Sequence, residues 1–256
     1  MWRQKQKNNF ISTFSIGLFL LVWEVAGRFE IINPIFISFP TRVLWTGFSL
    51  IASGDLWSHL MISIIALFSG LLLAVVFGLI IGMSAGYKEY IFDFIKPYIY
   101  GLNSLPKVAL IPLIIIWLGI GISAKIIVIF IMALPSIAIS VIEGVKNTEE
   151  DLIEMTFSFG GSKFNLLRSI VYYESLPFFF SGLKIAVGKA IIGLVIADMF
   201  GYGLGLGYLL TYYGATFKVA NLMFIILLLL SISLILNMFI DYFSKKMVYW
   251  KNNKTN

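Results

Sequence analysis

Leu60–Tyr87 reads LMISIIALFSGLLLAVVFGLIIGMSAGY, 28 consecutive residues without an acid, a lysine or an arginine. At about 1.5 Å of rise per residue a helix of that length exceeds the ~30 Å hydrocarbon core of a bilayer. The stretch is therefore expected to span a membrane. Its small residues are ordered as well: Gly70, Ala74, Gly78, Gly82 and Gly86 recur at every fourth position and stack along one side. Such a stripe lets a second helix backbone approach closely. Packing within the chain is the expected use, and contact with another subunit is the alternative.

Working outward, five more apolar runs follow the same logic: Phe10–Trp23, continued by Val25 and Ala26 beyond Glu24; Val108–Ala124, preceded by the mixed segment Ile91–Leu105; Ile126–Ile142; Phe178–Phe200; and Val219–Ile240. At roughly 20 residues per span, six spans use about 120 residues and leave room for loops but not for a second folded domain. Residues 1–256 are thus expected to form one all-α, polytopic membrane domain with about six transmembrane helices. The composition agrees, with 59% hydrophobic residues, 12% charged residues and a mean hydropathy of +0.94. Those values exclude a water-soluble globule and a disordered chain. Without cysteine there is no disulfide framework and no thiolate metal site or nucleophile.

Several boundaries are read from punctuation. Arg3, Lys5 and Lys7 before the first run resemble a signal peptide, but no small-x-small cleavage site follows, so the run is kept as a span. The third and fourth runs are split only by Gly119-Ile120-Gly121 and Lys125. Pro106, Pro112 and Pro135 should break or bend them, which is tolerated where protein or a cavity satisfies the freed backbone. Gly193, Ala197 and Gly201 repeat the small-residue spacing in the fifth run.

The net charge of +6 comes from 19 Lys and Arg against 13 Asp and Glu. With the N-terminus inside, Arg3, Lys5, Lys7, Lys88, Lys96, Lys146, Lys163, Arg168, Lys245, Lys246, Lys251 and Lys254 fall on the inner side, against Arg28, Arg42, Lys125 and Lys218 outside. This is the positive-inside pattern. Both termini and the loop Glu143–Pro177 are expected to be cytoplasmic, and the basic excess needs no nucleic-acid partner.

That loop, about residues 144–177, is patterned. Thr148 is expected to cap a helix whose first turn holds Glu149, Glu150 and Asp151, at the positive end of its dipole. Leu152, Ile153, Met155, Phe157 and Phe159 give the helix a large apolar surface, and Gly160-Gly161 should end it. Ser162 is then placed to cap a second helix, Lys163–Tyr172, with Phe164, Leu167 and Val171 on one side; Leu176-Pro177 should stop it before the fifth span. Two short helices with more apolar surface than they can hide suggest a docking element, the alternative being an interfacial helix on lipid headgroups.

Glu154-Met155-Thr156, Gly160 four positions after Thr156, and the terminal Leu176-Pro177 resemble the signature loop of permease subunits of bacterial ATP-binding-cassette importers. Ser104-Leu105-Pro106-Lys107-Val108-Ala109-Leu110-Ile111-Pro112-Leu113, Trp117-Leu118-Gly119-Ile120-Gly121, Gly182-Leu183-Lys184-Ile185-Ala186 and Gly203-Leu204-Gly205 resemble the branch that carries nitrate, taurine and aliphatic sulfonates. The likeness runs from about Phe39 to Asp241. Two details depart from it: Met155 and Thr156 stand where the general signature has alanines, and Tyr172-Tyr173 stands where many members have a first Leu-Pro. The resemblance implies a coupling loop, with Glu154, Gly160, Gly161, Phe164, Arg168, Leu176 and Pro177, that inserts into a separate ATPase subunit. It also implies an extracytoplasmic substrate-binding protein, a second permease subunit in a homodimer, and residence in the bacterial cytoplasmic membrane. Relatives with the same pattern carry vitamin-related pyrimidines and riboflavin, so those solutes are the alternative.

This chain should then bind no cofactor, with ATP held by the partner. No G-x-x-x-x-G-K-[ST] occurs, and Gly201–Gly207 alternates glycines without forming G-x-G-x-x-G; it reads as a flexible outer turn. His59 is the single histidine and lacks companions for a metal site or a catalytic triad, so neither metal ligands nor catalytic residues are expected. Lys189 falls near mid-depth of the fifth run, where an ionisable group faces a cavity or a partner. It is expected to face the bundle interior, lining an anion route or neutralising a buried acid. Lys184 can snorkel. Asp198 lies near the outer end, either at the headgroups or at an outer gate. Asn103 and Ser104 place polar groups at the Pro106 break. Lys189, Asp198, Asn103 and Ser104 are the candidate pathway residues. An ion-coupled secondary transporter would show related halves or several intramembrane carboxylates, and a structural membrane protein would leave the patterned loop without a role.

Overall fold

The computed structural model describes residues 2–29, 33, 36–200 and 203–249, with side chains from Phe14 onward. Gly201, Lys251, Lys254 and the side chains of Arg3, Lys5 and Lys7 lie outside the described residues. Every regular element among these is helical: α1 (Trp2–Arg28), α2 (Pro40–Ser53), α3 (Asp55–Tyr87), α4 (Glu89–Ser104), a 3₁₀ turn (Lys107–Leu110), α5 (Ile111–Leu118), α6 (Ile122–Lys146), α7 (Glu150–Ser158), α8 (Lys163–Leu166), a π turn (Leu167–Val171), α9 (Tyr172–Met199), α10 (Leu206–Ala215) and α11 (Val219–Met247). Helices α3, α6, α8–α9 and α11 are long and apolar enough to cross a bilayer, and α4 with the segment Lys107–Leu118 forms a fifth, bent by 95°. With α1 carrying the first apolar run, this accords with about six membrane helices.

Helix α6 is the axis of the bundle, packed between α3 and α9. The small stripe of α3 meets a ridge of α6 with the same period. A Cβ at Gly70 would lie 2.6 Å from Ile129, at Gly78 2.7 Å from Ile137, and at Gly82 and Gly86 2.5 Å from Val141 and Val145. The stripe is therefore filled within the chain. The adjacent face of α6 receives α9, where a Cβ at Gly182 would meet Ser140 at 2.6 Å and one at Gly193 would meet Met132 at 2.9 Å. Between membrane helices there is little hydrophobic drive, so close van der Waals fit has to supply the attraction.

The run Val108–Ala124 breaks as its prolines and glycines suggest: Leu105 takes the extended backbone that precedes a proline, Pro106 withholds its amide, and Gly119 turns left-handed at φ 75°, so a 3₁₀ turn and the eight-residue α5 replace a single helix. Three expectations change. Leu176-Pro177 does not stop the loop helix. Pro177 lies inside α9, and α8, the π turn and α9 form one 37-residue rod, Lys163–Met199. Packed membrane helices absorb such prolines because neighbours re-satisfy the freed backbone. Thr148 does not cap α7, since its hydroxyl donates back to Val145 O at 2.8 Å and Glu149 takes the N-cap position. The described part of the Gly201–Gly207 run is no slack turn, for reasons given below.

Replacing Gly78 by valine should push α3 off α6 and lower the unfolding temperature in detergent micelles, at a cost of about 1–3 kcal/mol from overpacking. Gly17 has nothing within 4 Å of its Cβ position, so Gly17→Ala should leave that temperature unchanged or slightly raised.

Candidate functional site

Three polar constellations interrupt the apolar bundle. The first closes one end. Asp198, at the end of α9, is fully buried, and Lys125, in the first turn of α6, is 4% exposed. The Lys125 ammonium meets Asp198 Oδ1 at 2.7 Å and also donates to the Leu204 carbonyl at 2.5 Å. Asp198 Oδ2 accepts the Ser63 hydroxyl at 3.0 Å and the Gly207 amide at 3.1 Å, while Ser63 Oγ accepts the Leu206 amide at 2.9 Å. The Gly205 amide donates to His59 Nδ1 at 3.1 Å, and the imidazole stacks on Tyr208. Two of the alternating glycines, Gly205 and Gly207, are demanded by this knot. At Gly205, φ is 125° and a Cβ would lie 2.2 Å from Asp198 Oδ2; at Gly207 a Cβ would lie 2.3 Å from the Val195 carbonyl. Asp198 thus faces neither headgroups nor an open gate; it is enclosed by protein.

The second constellation sits at the helix break. Asn103 ends α4, and its Oδ1 accepts from Lys189 Nζ of α9 at 3.1 Å. Lys107, just past Pro106, donates to the Asn103 carbonyl oxygen at 3.4 Å. Two lysine side chains therefore converge on one asparagine. Among the described residues no carboxylate lies within ion-pair distance of either lysine. Asn103 and Ser104 are exposed, and the lysines are half-buried. The structure thus brings Lys189 and Asn103 together with Ser104 beside them, adds Lys107, and leaves Asp198 elsewhere. Lys184, by contrast, is neutralised by Asp241 of α11.

The third constellation is the loop at the other end. Helix α7 closes with a left-handed Gly160 (φ 76°), the Gly160 amide bonding to Phe157 O at 2.9 Å and the Gly161 amide to Thr156 O at 2.8 Å. A Cβ at Gly161 would lie 2.7 Å from that same Thr156 carbonyl. This is the Schellman pattern that glycine permits. Ser162 Oγ then caps α8 by accepting the Asn165 amide at 3.2 Å. Glu154 and Arg168 are exposed, Leu176 is buried, and Pro177 lies in the α9 rod. Met155, Phe157, Phe159 and Phe164 stand uncovered, Phe159 at 85% exposure. Beside them a cleft of about 650 Å³ runs between Leu152, Tyr173 and Glu174 on one side and Lys246 and Met247 of α11 on the other.

Residues 74–249 match the family model described as the binding-protein-dependent transport system inner membrane component. The chain belongs to this family. The permease is similar to the taurine transport system permease protein TauC of Escherichia coli, at 30% identity over 77% of this chain and 74% of that protein. It is also similar to the formylaminopyrimidine transport permease protein ThiX of Halalkalibacterium halodurans, at 26% identity over 75% of this chain and 76% of that protein. A solved structure of the MetNI methionine ABC transporter in an inward-facing conformation shares the fold, with a TM-score of 0.61 and 19% identity over 72% of this chain and 94% of that one. The chain is thus the multi-pass permease subunit of an ABC importer.

Sequence reasoning missed Lys125 and Lys107 because each stands at the margin of an apolar run, where a lysine reads as interfacial. The signal for Lys125 was present: it and Asp198 are opposite charges placed near the same membrane end. Asp198→Asn should leave the Lys125 ammonium buried without a counter-charge and destabilise the permease by about 3–5 kcal/mol. The Lys125→Met/Asp198→Asn double variant should lose less than the sum of the two single variants, a coupling that a double-mutant cycle of unfolding in micelles measures directly.

Proposed function

We propose that this permease moves a small oxyanion of the sulfonate, taurine or nitrate class, and that Lys189, Lys107, Asn103 and Ser104 line its route. The observation that carries this reading is the uncompensated lysine pair at the Pro106 break. Unpaired charge in a membrane interior is costly and is retained where it meets a substrate or a counter-ion. A sulfonate or nitrate group offers several acceptor oxygens and a negative charge to two ammonium donors and the Asn103 amide. A neutral pyrimidine would leave both ammonium groups uncompensated, so the anionic solute is preferred over the vitamin-related one.

In this mechanism both termini and the loop 144–177 are cytoplasmic, and ATP is bound and hydrolysed by separate subunits. In this reading the chain itself needs no catalytic residue, metal ligand or cofactor. A substrate-binding protein delivers the solute on the far side, and a second copy of the permease completes the pathway. The exposed Phe157, Phe159 and Phe164, with Glu154 and Arg168 beside them, dock on the ATPase around the rigid Gly160-Gly161 corner. Force applied there travels along the rod Lys163–Met199, on which Lys189 sits. Tilting that rod separates Lys189 from Asn103, and alternating access opens the lysine pair to one side and then the other.

Lys107→Met and Lys189→Met should each lower ATP-driven uptake of labelled taurine or nitrate into proteoliposomes by about tenfold, the equivalent of one lost charge-assisted contact. Assembly with the ATPase and its basal hydrolysis should stay intact; unchanged uptake would remove both lysines from the route. Deleting 154–168 should abolish co-purification of the ATPase, and retention of both association and uptake would overturn the coupling assignment.

A further inference from the structure

At the end of the bundle that carries the Lys125–Asp198 knot, α2 packs on the start of α11, with Val43 buried and Gly47 set against the Phe224 ring. Between them lies a pocket of about 240 Å³ lined by Ser38, Arg42, Thr46, Lys218 and the first turn of α11, Val219 to Asn221. Its chemistry is one-sided. Arg42 and Lys218 have no acidic partner among the described residues. Helix α11 runs for 29 residues, and no side chain caps its N-terminus, so its first amides and the positive end of its dipole face the pocket. Ser38 supplies an independent sign of a missing ligand: it is 4% exposed, and its hydroxyl has no hydrogen-bond partner. A buried hydroxyl without a partner calls for an occupant.

The surroundings say which occupant. Helix α2 turns Leu44, Trp45 and Phe48 outward at 63%, 74% and 72% exposure, the apolar face of a helix lying in a lipid interface with a tryptophan at headgroup level. On the other rim Phe217 is 71% exposed and holds φ 54°, the single non-glycine residue with positive φ among the described residues. A bulky residue in the left-handed region is strained. That position ends α10, through Phe217 N to Gly214 O and Lys218 N to Tyr213 O, and it sends Phe217 outward while Lys218 enters the pocket. We propose that this pocket binds a phosphate-class oxyanion, the phosphodiester of an anionic lipid headgroup. Its oxygens are held by Arg42, Lys218, Ser38 Oγ and the α11 amides, while its acyl chains lie along Trp45, Phe48 and Phe217.

The test is calorimetric titration of the full-length permease, purified with its ATPase in dodecyl maltoside. The titrants are dihexanoyl phosphatidylglycerol, dihexanoyl glycerol and inorganic phosphate. Saturable binding of the phosphatidylglycerol and none of the uncharged glyceride is expected. Arg42→Gln/Lys218→Gln should weaken binding by about tenfold or more. Arg42→Lys/Lys218→Arg should keep it, which separates loss of charge from loss of fold. Inorganic phosphate binding as tightly as the lipid, and lost in the Gln variant, would replace the lipid with a free anion as the ligand. Phosphatidylglycerol binding equally well to the Gln variant and the parent would overturn the site altogether. Binding is read without transport, so the result stands apart from the uptake experiment on Lys107 and Lys189.

Discussion

The ion pair between Lys125 and Asp198 is the constraint around which the bundle is arranged. Burying two charges in a membrane protein costs more than their attraction returns unless the remaining donors and acceptors are also used. Here the partners come from four places: Ser63 on α3, the Leu204 carbonyl, the Gly207 amide at the start of α10, and the pair itself across α6 and α9. No sliding of one helix against another preserves that set. Apolar packing alone gives weak register between membrane helices, because a leucine against lipid is nearly as well placed as a leucine against leucine. The polar knot supplies the register, and the glycine stripe of α3 then zips along the ridge of α6 from that fixed end.

Rigidity is therefore unevenly distributed. Fourteen residues of α6 are buried, against a single one, Ile99, in α4. The α4–α5 pair hangs on the outside of a locked core of α3, α6 and α9, and the bond between Asn103 and Lys189 joins the loosely packed part to the stiff rod. The substrate route proposed at this junction could change shape without breaking the core. The same rod emerges as the apolar loop at the other end, so one continuous helix connects the proposed docking surface to the lysine pair.

How much of this was legible in the sequence depends on whether the information was periodic or tertiary. The apolar runs and the stripe from Gly70 to Gly86 are local patterns, and all but the broken run Val108–Ala124 survive as helices, although the ridge the stripe meets on α6 could not be read off because nothing local marks Ile129 or Val141 as partners. The break at Pro106 was visible as a missing amide; the 95° turn was not, since its angle depends on how α5 rests on α6. Pro177 was read as a stop because proline ends helices in water, whereas a packed membrane rod carries it through. Local chemistry at Gly160-Gly161 and Ser162 was read correctly because caps and left-handed turns are short-range devices. Gly205 and Gly207 misled for the opposite reason: their freedom is consumed by Asp198, a carboxylate that arrives from another helix. Lys125 stayed hidden in the same way.

The two lysine environments differ in one respect that separates structure from function. Lys125 carries its counter-ion within the chain, at 2.7 Å and out of contact with water. Such a charge is spent on holding the fold, since releasing it would expose an uncompensated ion. Lys107 and Lys189 lean on a neutral asparagine with no carboxylate beside them among the described residues, an arrangement that gains from any negative group that comes between them. On the proposed anion route, electrostatic free energy would be available only when a solute is present and returned when it leaves. A carrier of anions needs that reversibility, because a permanent acid beside the lysines would outcompete every passing anion, and an apolar break would attract none.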